Sequence, residues 1–316
     1  MKHHTLFAAA LAVLSCAGLA LPAMAQTRLT YKSAKTGTSY YQMGVELAEA
    51  VKTASDGALV MTVEESQGSV QNVMEVRARG ADYIFTSPPS LIASAQEGTG
   101  PFEGKTDPKF AEIRALFPIP SLTMHFVVGG TGGETGMSVL EGTRILLGKG
   151  TFSATEGERY LELFGLMDKV TIADAELSNA GDALKNGQID AFVSASSWPA
   201  PNIIEAAASN GVRILSLSEE QVEQTGQARV EIPAETYPGQ AEPIVTTGLP
   251  VVAFTTTAMD EQTAYDLTRD FWKTREKLAE TAAWWAGVSP DQVAGIGELH
   301  PGAARYYEEA GIDIGE

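Results

Sequence analysis

Cysteine is almost absent from this 316-residue chain, and the one thiol, Cys16, lies inside an apolar stretch near the N-terminus. Met1-Lys2-His3-His4 leads into the run Leu6 to Leu21, which ends at Ala23-Met24-Ala25 before Gln26, the pattern of a secretory signal peptide with an Ala-x-Ala cleavage site. Leu14 is a poor fit ahead of Ser15-Cys16, so a lipid anchor is not expected. Cleavage after Ala25 removes Cys16 and excludes disulfides and thiol chemistry from the mature chain. Histidine is nearly as scarce. Only His125 and His300 follow the cleavage site, which excludes His-Glu-x-x-His zinc chemistry and multi-histidine sites, so no metal and no cofactor is expected. Positive charge is thin too: 22 Lys and Arg stand against 40 Asp and Glu, for a formal charge of -18. Such a field repels nucleic acid and anionic membranes. No second long apolar run follows the first, so work at a membrane would need a partner.

The roughly 290 residues left after cleavage exceed one comfortable core, so two lobes are expected. Leu29-Thr30-Tyr31 reads as a strand, followed by a helix with the stripe Tyr41, Val45, Ala48 and Val51. Leu59 to Val63, Val70 to Ala78 and Tyr83-Ile84-Phe85 then read strand, helix, strand, the alternation of a sheet with parallel strands under helices. Further strands are expected at Ile113 to Phe117, His125 to Val128, Arg144 to Leu147, Val170 to Ile172, Ile189 to Val193, Val212 to Leu217 and Val251 to Phe254. Helices are expected at Thr155 to Phe164, Ala180 to Lys185, Ile203 to Ala208 and Glu261 to Ala282. Gly129-Gly130-Thr131-Gly132-Gly133 marks a flexible connection near a crossing between lobes, and Pro243 to Pro250 the return crossing. Two such crossings make a hinge with a ligand cleft beside it.

Four segments share one arrangement, an apolar run, a loop of glycine and hydroxyl residues, and a helix start. They are Thr36-Gly37-Thr38-Ser39-Tyr40-Tyr41, Ser66-Gln67-Gly68-Ser69, Gly148-Lys149-Gly150-Thr151-Phe152-Ser153 and Ser194-Ala195-Ser196-Ser197-Trp198-Pro199. None carries a nucleophile with a base, or a metal ligand set, whereas each aims free N–H groups and a helix dipole forward, as suits an anion. One of Tyr40 and Tyr41 is expected to line the cleft. Lys149 reads equally as an anion contact and as a solvated surface lysine. His125 opens an apolar strand and reads as a hydrogen-bonded core or rim residue rather than a general base.

Familiar catalytic motifs fail on spacing. Gly104-Lys105-Thr106 ends like a phosphate-binding loop, but the earlier glycine it needs falls on Thr99. Gly130 and Gly132 would need a third glycine at Thr135 to make a dinucleotide fingerprint. Lys35-Thr36-Gly37 has no Ser-x-x-Lys to accompany it, and no Gly-x-Ser-x-Gly elbow occurs. A secreted hydrolase would have to rest on an acid pair, which forty acids make impossible to choose by sequence.

From about Thr30 to Ile312 the chain resembles the periplasmic solute-binding proteins of the TAXI class of tripartite ATP-independent periplasmic (TRAP) transporters. The pieces that carry the resemblance are Gly37-Thr38-Ser39-Tyr40-Tyr41, Gly68-Ser69-Val70-Gln71-Asn72, Gly98-Thr99-Gly100-Pro101-Phe102, Gly187-Gln188-Ile189-Asp190-Ala191-Phe192, Tyr237-Pro238-Gly239 and His300-Pro301-Gly302-Ala303-Ala304-Arg305-Tyr306-Tyr307. The resemblance implies an α/β, two-lobed periplasmic binding protein of type II, each lobe a mixed sheet flanked by helices and the two joined by a two-strand hinge. Residues 1–25 would be the signal peptide, 26–128 with 246–316 one lobe, and 129–245 the other. The implied function is a monomeric, non-enzymatic receptor in the periplasm that captures a small organic anion, such as glutamate, a dicarboxylate or a related acid, and delivers it to TRAP membrane subunits for ion-driven uptake. A ligand sensor for a membrane receptor is the alternative. Carried over by position, the ligand residues would be Gly37, Thr38, Ser39, Tyr40, Ser69, Asn72 and Ser87 from one lobe. The other lobe would give Gly150, Thr151, Phe152, Ser153, Ser197 and Trp198.

Three places depart from the resemblance. Gly150-Thr151-Phe152-Ser153 carries a phenyl ring where the family's Gly-Ser-Gly-Thr has glycine, Thr86-Ser87-Pro88-Pro89 replaces a polar run that often includes an acid, and Trp198 replaces a small residue. The two rings suggest a flat or branched ligand, and the missing acid suggests a carboxylate without an amine. Ser153→Ala is expected to weaken binding without unfolding the protein.

Overall fold

The computed structural model describes residues 26–315, so the signal-peptide expectation for 1–25 lies outside the described residues. The chain begins β1 (Thr27–Lys32), α1 (Ser39–Ala54), β2 (Leu59–Glu64), α2 (Ser69–Glu75), β3 (Tyr83–Ser87) and α3 (Pro89–Glu97). β1 lies between β2 and β3 and pairs parallel with both, as strands joined by helical crossovers must. The buried face of α1 is Tyr40, Met43, Gly44, Leu47 and Val51, not the expected Tyr41, Val45, Ala48 and Val51, and Val45 is 48% exposed. Both stripes have helical spacing, but the observed one puts the larger Met43 and Leu47 into the core, and its glycine lets the helix settle on β1. A Cβ on Gly44 would stand 2.9 Å from the Tyr31 ring.

After α3 comes β4 (Ile113–Gly129), then β5 (Arg144–Leu146), α4 (Phe152–Leu163), β6 (Thr171–Ala173) and α5 (Ala180–Lys185). Next are β7 (Ala191–Ser196), α6 (Pro201–Asn210), β8 (Val212–Ile214), α7 (Glu219–Thr225), β9 (Ala228–Ile232) and β10 (Ile244–Thr256). The chain closes with α8 (Glu261–Thr281) and α9 (Pro301–Ala310). A mixed sheet runs β2-β1-β3-β10-β4-β7-β5-β6, with β8 on β4 and β9 on β10. Among the described residues no helix is long and apolar enough to cross a membrane.

The segments Ile113 to Phe117 and His125 to Val128, expected as two strands, are one strand of 17 residues. Its first part pairs antiparallel with β10, and from Thr123 to Val128 it pairs with β7. β10 does the reverse, meeting β9 through Gly248 and β3 from Val252. These two long strands thus carry the chain between the halves of the sheet. The ladder between them shifts where Leu249/Val251 face Leu122/Ile119, skipping Pro250 and Pro120, neither of which can donate to it. The glycine-rich stretch after Gly129 sits away from this change of partner, with Gly130 N–H bonded to Gly211 O beside β8.

The C-terminal helices cover the first half. Phe117 and Phe271 stack with centroids 4.1 Å apart, and the indole N–H groups of Trp284 and Trp285 both donate to Glu46 Oε2, at 3.0 and 2.7 Å. A second apolar cluster, with Phe192, Ile203 and Tyr237, lies under α5 and α6.

Candidate ligand-binding cleft

The carboxyl ends of β1, β2, β3, β5, β6 and β7 converge on one cavity of about 250 Å³, the position where open α/β sheets place ligands. Its walls come from both halves: Ser33 to Thr38, Gln67 to Ser69 and Thr86 on one side, Thr151 to Ser153, Glu176 to Ser178 and Ser194 to Ser196 on the other. Leu122 of β4 and Val251 of β10 lie between them, and Tyr40 of α1 with Asn202 and Glu205 of α6 complete the lining.

The same local device occurs twice, face to face. Gly37 (φ 86°) and Gly150 (φ 78°) turn the chain through a conformation that a side chain would strain, and the threonine after each caps a helix. Thr38 Oγ1 accepts from Tyr41 N at 3.3 Å and donates to Lys35 O at 2.7 Å, while Thr151 Oγ1 accepts from Ala154 N at 3.3 Å and donates to Gly148 O at 2.6 Å. The first N–H groups of α1 and α4 have no intrahelical acceptor and carry the positive ends of two dipoles.

Hydroxyl contacts join the halves around the cavity. Ser39 Oγ and Ser196 Oγ are 3.0 Å apart. Ser197 Oγ lies 3.3 Å from Tyr40 Oη and 2.8 Å from Ser121 O, and Tyr40 Oη donates to Pro120 O at 2.6 Å. The interrupted ladder leaves those two strand carbonyls free to accept. At the rim, Lys35 Nζ meets Glu176 Oε2 at 3.2 Å. Glu65 accepts from Thr36 N at 2.9 Å and from Thr36 Oγ1, bonds that hold its carboxyl below the usual range.

Residues 32–311 match the model of the NMT1-like family. The chain belongs to the NMT1-like family. Its fold is similar to that of the periplasmic binding protein BugD, 13% identical over 90% of this chain and 98% of that one, with a TM-score of 0.56. A protein of Bordetella bronchiseptica RB50 is 14% identical over 90% and 98% of the two chains, with a TM-score of 0.54. At these identities the likeness speaks for the fold alone, the α/β fold of type II periplasmic binding proteins.

In this NMT1-like chain Gly37, Thr38, Tyr40, Ser69, Thr151, Phe152 and Ser153 meet at the cavity. Tyr40, not Tyr41, is the tyrosine that lines it. The other residues put forward from the sequence stand outside the lining. Ser39 and Ser197 are buried behind it, joining the halves. Asn72 is buried beneath, donating to Ser33 O and Thr86 O at 2.8 and 2.9 Å, and Ser87 turns back to Pro88 O at 3.2 Å. Gly150 faces an adjoining cavity of about 600 Å³, where Lys149 is solvent-exposed and paired with Asp174 at 3.7 Å. Trp198, cis to Pro199, packs on the second apolar cluster.

Sequence reading missed Lys35, Glu176, Asn202 and Glu205 as cleft residues. Glu176 and Glu205 sit in no motif and are two of forty acids, so nothing in the chain marked them. Lys35 stands next to the first loop, and that adjacency was the available signal. Among the described residues the lining contains no histidine, cysteine or arginine.

His125 lies buried behind Ser194. Its Nδ1 is 3.0 Å from Thr123 O and 3.3 Å from Ser194 O, so it must carry the proton. Nε2 therefore accepts from Tyr237 Oη at 2.9 Å, and that oxygen accepts from Ala200 N at 3.0 Å. Burial pushes the imidazole down to about 4. It is a neutral pin between the cleft wall and the Tyr237 turn.

Ser153 also has a structural task that its sequence did not show, because its Oγ accepts from Ala195 N at 3.0 Å. Ser153→Ala strips a β7 N–H of its partner and should cost about 1–3 kcal/mol. A thermal melt of the ligand-free variant within 1 °C of wild type would show that the bond contributes nothing.

Proposed function

We propose that this protein is a periplasmic receptor that captures a small organic acid between two lobes and presents it to the membrane subunits of a TRAP-type transporter. The observation that carries the reading is the cavity itself, into which two glycine-threonine helix starts aim from opposite halves. A carboxylate there is held by backbone N–H groups and hydroxyls without a dedicated counter-charge, which orients it and still permits release. The lobes are 26–128 with 246–316 and 129–245, and they hinge where β4 and β10 exchange partners. Closing on a ligand shifts the population toward the state that membrane subunits recognise.

The test is a thermal-shift screen of the chain from Gln26 onward, unfolded and refolded to remove retained ligand, against dicarboxylates, keto acids, amino acids and aromatic acids. A ligand at 100 times its Kd adds about 2.7 kcal/mol, worth roughly 5 °C in a protein of this size. A selective shift is expected. If no acid of any class moves the midpoint, the receptor reading is wrong.

A further inference from the structure

Arg213 is a cation that the protein leaves unanswered. It stands in β8 between the buried Val212 and Ile214, on the other face of the strand, beside a cavity of about 200 Å³ that shares no residue with the cleft. Among the described residues no carboxylate pairs with it, and Glu242, the acid in the lining, is exposed and forms no ion pair. Nη1 donates to Glu134 O at 3.3 Å, whereas Nε is buried without an acceptor, and Nη2, on the same edge of the guanidinium, has none among the described residues. A buried charged donor in that state is costly until an oxygen meets it. The guanidinium fits here because Gly133 has no side chain, since a Cβ on it would collide with Nη1. Gly132 and Gly133 turn at φ 75° and 100°, and their N–H groups have no acceptor among the described residues.

We infer that this pocket is a second ligand site, separate from the cleft, and that it takes a small oxyanion, a phosphoryl or sulfate group or a carboxylate. Two oxygens of such a group meet the Nε–Nη2 edge side by side, the geometry in which a guanidinium binds either. The Gly132-Gly133 turn offers backbone donors to the remaining oxygens, as successive free N–H groups do in anion-binding turns. The chain's formal -18 repels anions at long range, so charge alone does not hold one here and the fork has to. The pocket and the cleft stand back to back. Tyr237 lines the pocket, its hydroxyl bonds His125 Nε2, and His125 Nδ1 bonds the carbonyl of Ser194 in the cleft wall. The glycine-rich stretch, which lies away from the crossing strands, thereby gains a task of its own.

Backbone amide NMR of the isotope-labelled, refolded protein tests it, by titration with inorganic phosphate, sulfate and acetate at constant ionic strength, chloride making up the balance. Saturable shifts of the Gly132 and Gly133 amides are expected with at least one oxyanion and not with chloride. Comparing phosphate and sulfate with acetate separates a phosphoryl ligand from a carboxylate. Arg213→Gln should weaken that binding about tenfold or more, and Arg213→Lys, which keeps the charge and loses the fork, about fivefold or more. Amide shifts elsewhere in the ion-free variants should match wild type. A flat titration with all three ions, shifts confined to Gly37 and Thr151 in the cleft, or an Arg213→Lys protein that binds as tightly as wild type overturns the inference and leaves the receptor reading intact. Carrying Arg213→Gln through the organic-acid screen keeps the two sites apart. A shift of the melting midpoint that survives the substitution belongs to the cleft; if every shift disappears with Arg213, the receptor reading fails and this site stands.

Discussion

Gly302→Ala should destabilise the protein by about 3 kcal/mol, the largest effect expected of any single methyl group in this chain. Gly302 lies in the first turn of α9, against the first turn of α8. A Cβ there would stand 2.1 Å from Glu261 O and 2.7 Å from Tyr265 N, both backbone atoms with no rotamer to escape through. α9 cannot back away cheaply. His300 caps it, its Nδ1 accepting from Gly302 N at 3.2 Å while Nε2 donates to Met259 O at 3.1 Å. Further along the helix Tyr307 Oη donates to Leu116 O at 2.7 Å, which ties it to β4. The control is Gly181→Ala in α5, where a Cβ meets nothing within 4 Å and the expected change is a gain of about 0.5–1 kcal/mol. Urea unfolding of the two variants beside wild type measures both. A Gly302→Ala protein as stable as wild type would mean that α9 does not dock as described.

Acidification from pH 7 to pH 4 should cost about 3 kcal/mol of stability through His125 alone. Its imidazole is held to about 4 by burial, below the ordinary 6.5. Between those values the unfolded chain takes up a proton that the folded protein refuses. The contribution is therefore complete above pH 6.5, falls as pH drops toward 4, and levels off below. His300 is lowered for the same reason, burial first. Arg144 beside Asp190, and the Thr263 bonds to Asp260, hold two carboxyls low as well, and their contributions are lost at still lower pH. The His125→Gln variant separates these. Glutamine keeps an acceptor for Tyr237 but has no proton to take up, so the stability difference between wild type and variant should shrink as pH falls. A difference that does not change between pH 7.5 and pH 4.5 would mean His125 titrates normally and is not buried in the folded protein.

Much of this protein was legible in its residues. Strand-helix alternation through Phe85 announced parallel strands under helices, because a parallel pair needs a crossover. Helix signals local to a segment were read to the residue: Ala180–Lys185 ends where Asn186-Gly187 stops it, and α8 starts at Glu261 behind its Asp260 cap. The loops around Gly37-Thr38 and Gly150-Thr151 were read as leading into helix starts, although α4 begins at Phe152 and not at the expected Thr155, because Thr151 caps it. These are short-range effects, carried by neighbours in the chain. The rest depended on what the chain meets after folding. Ile113 to Gly129 became one strand because β10 and β7 pair with it in succession, although Pro118 and Pro120 lie in its middle. α1 took one of two possible stripes because Tyr31 lies beneath it, and Asn72 turned away from the cleft because two carbonyls lay behind it. Glu176 faces Lys35 from 141 positions away, and no local pattern encodes that distance. Hydrogen bonding and capping act within a few residues and are written in the sequence, whereas the cleft's charge balance is a property of loops that only the folded sheet brings within reach of each other.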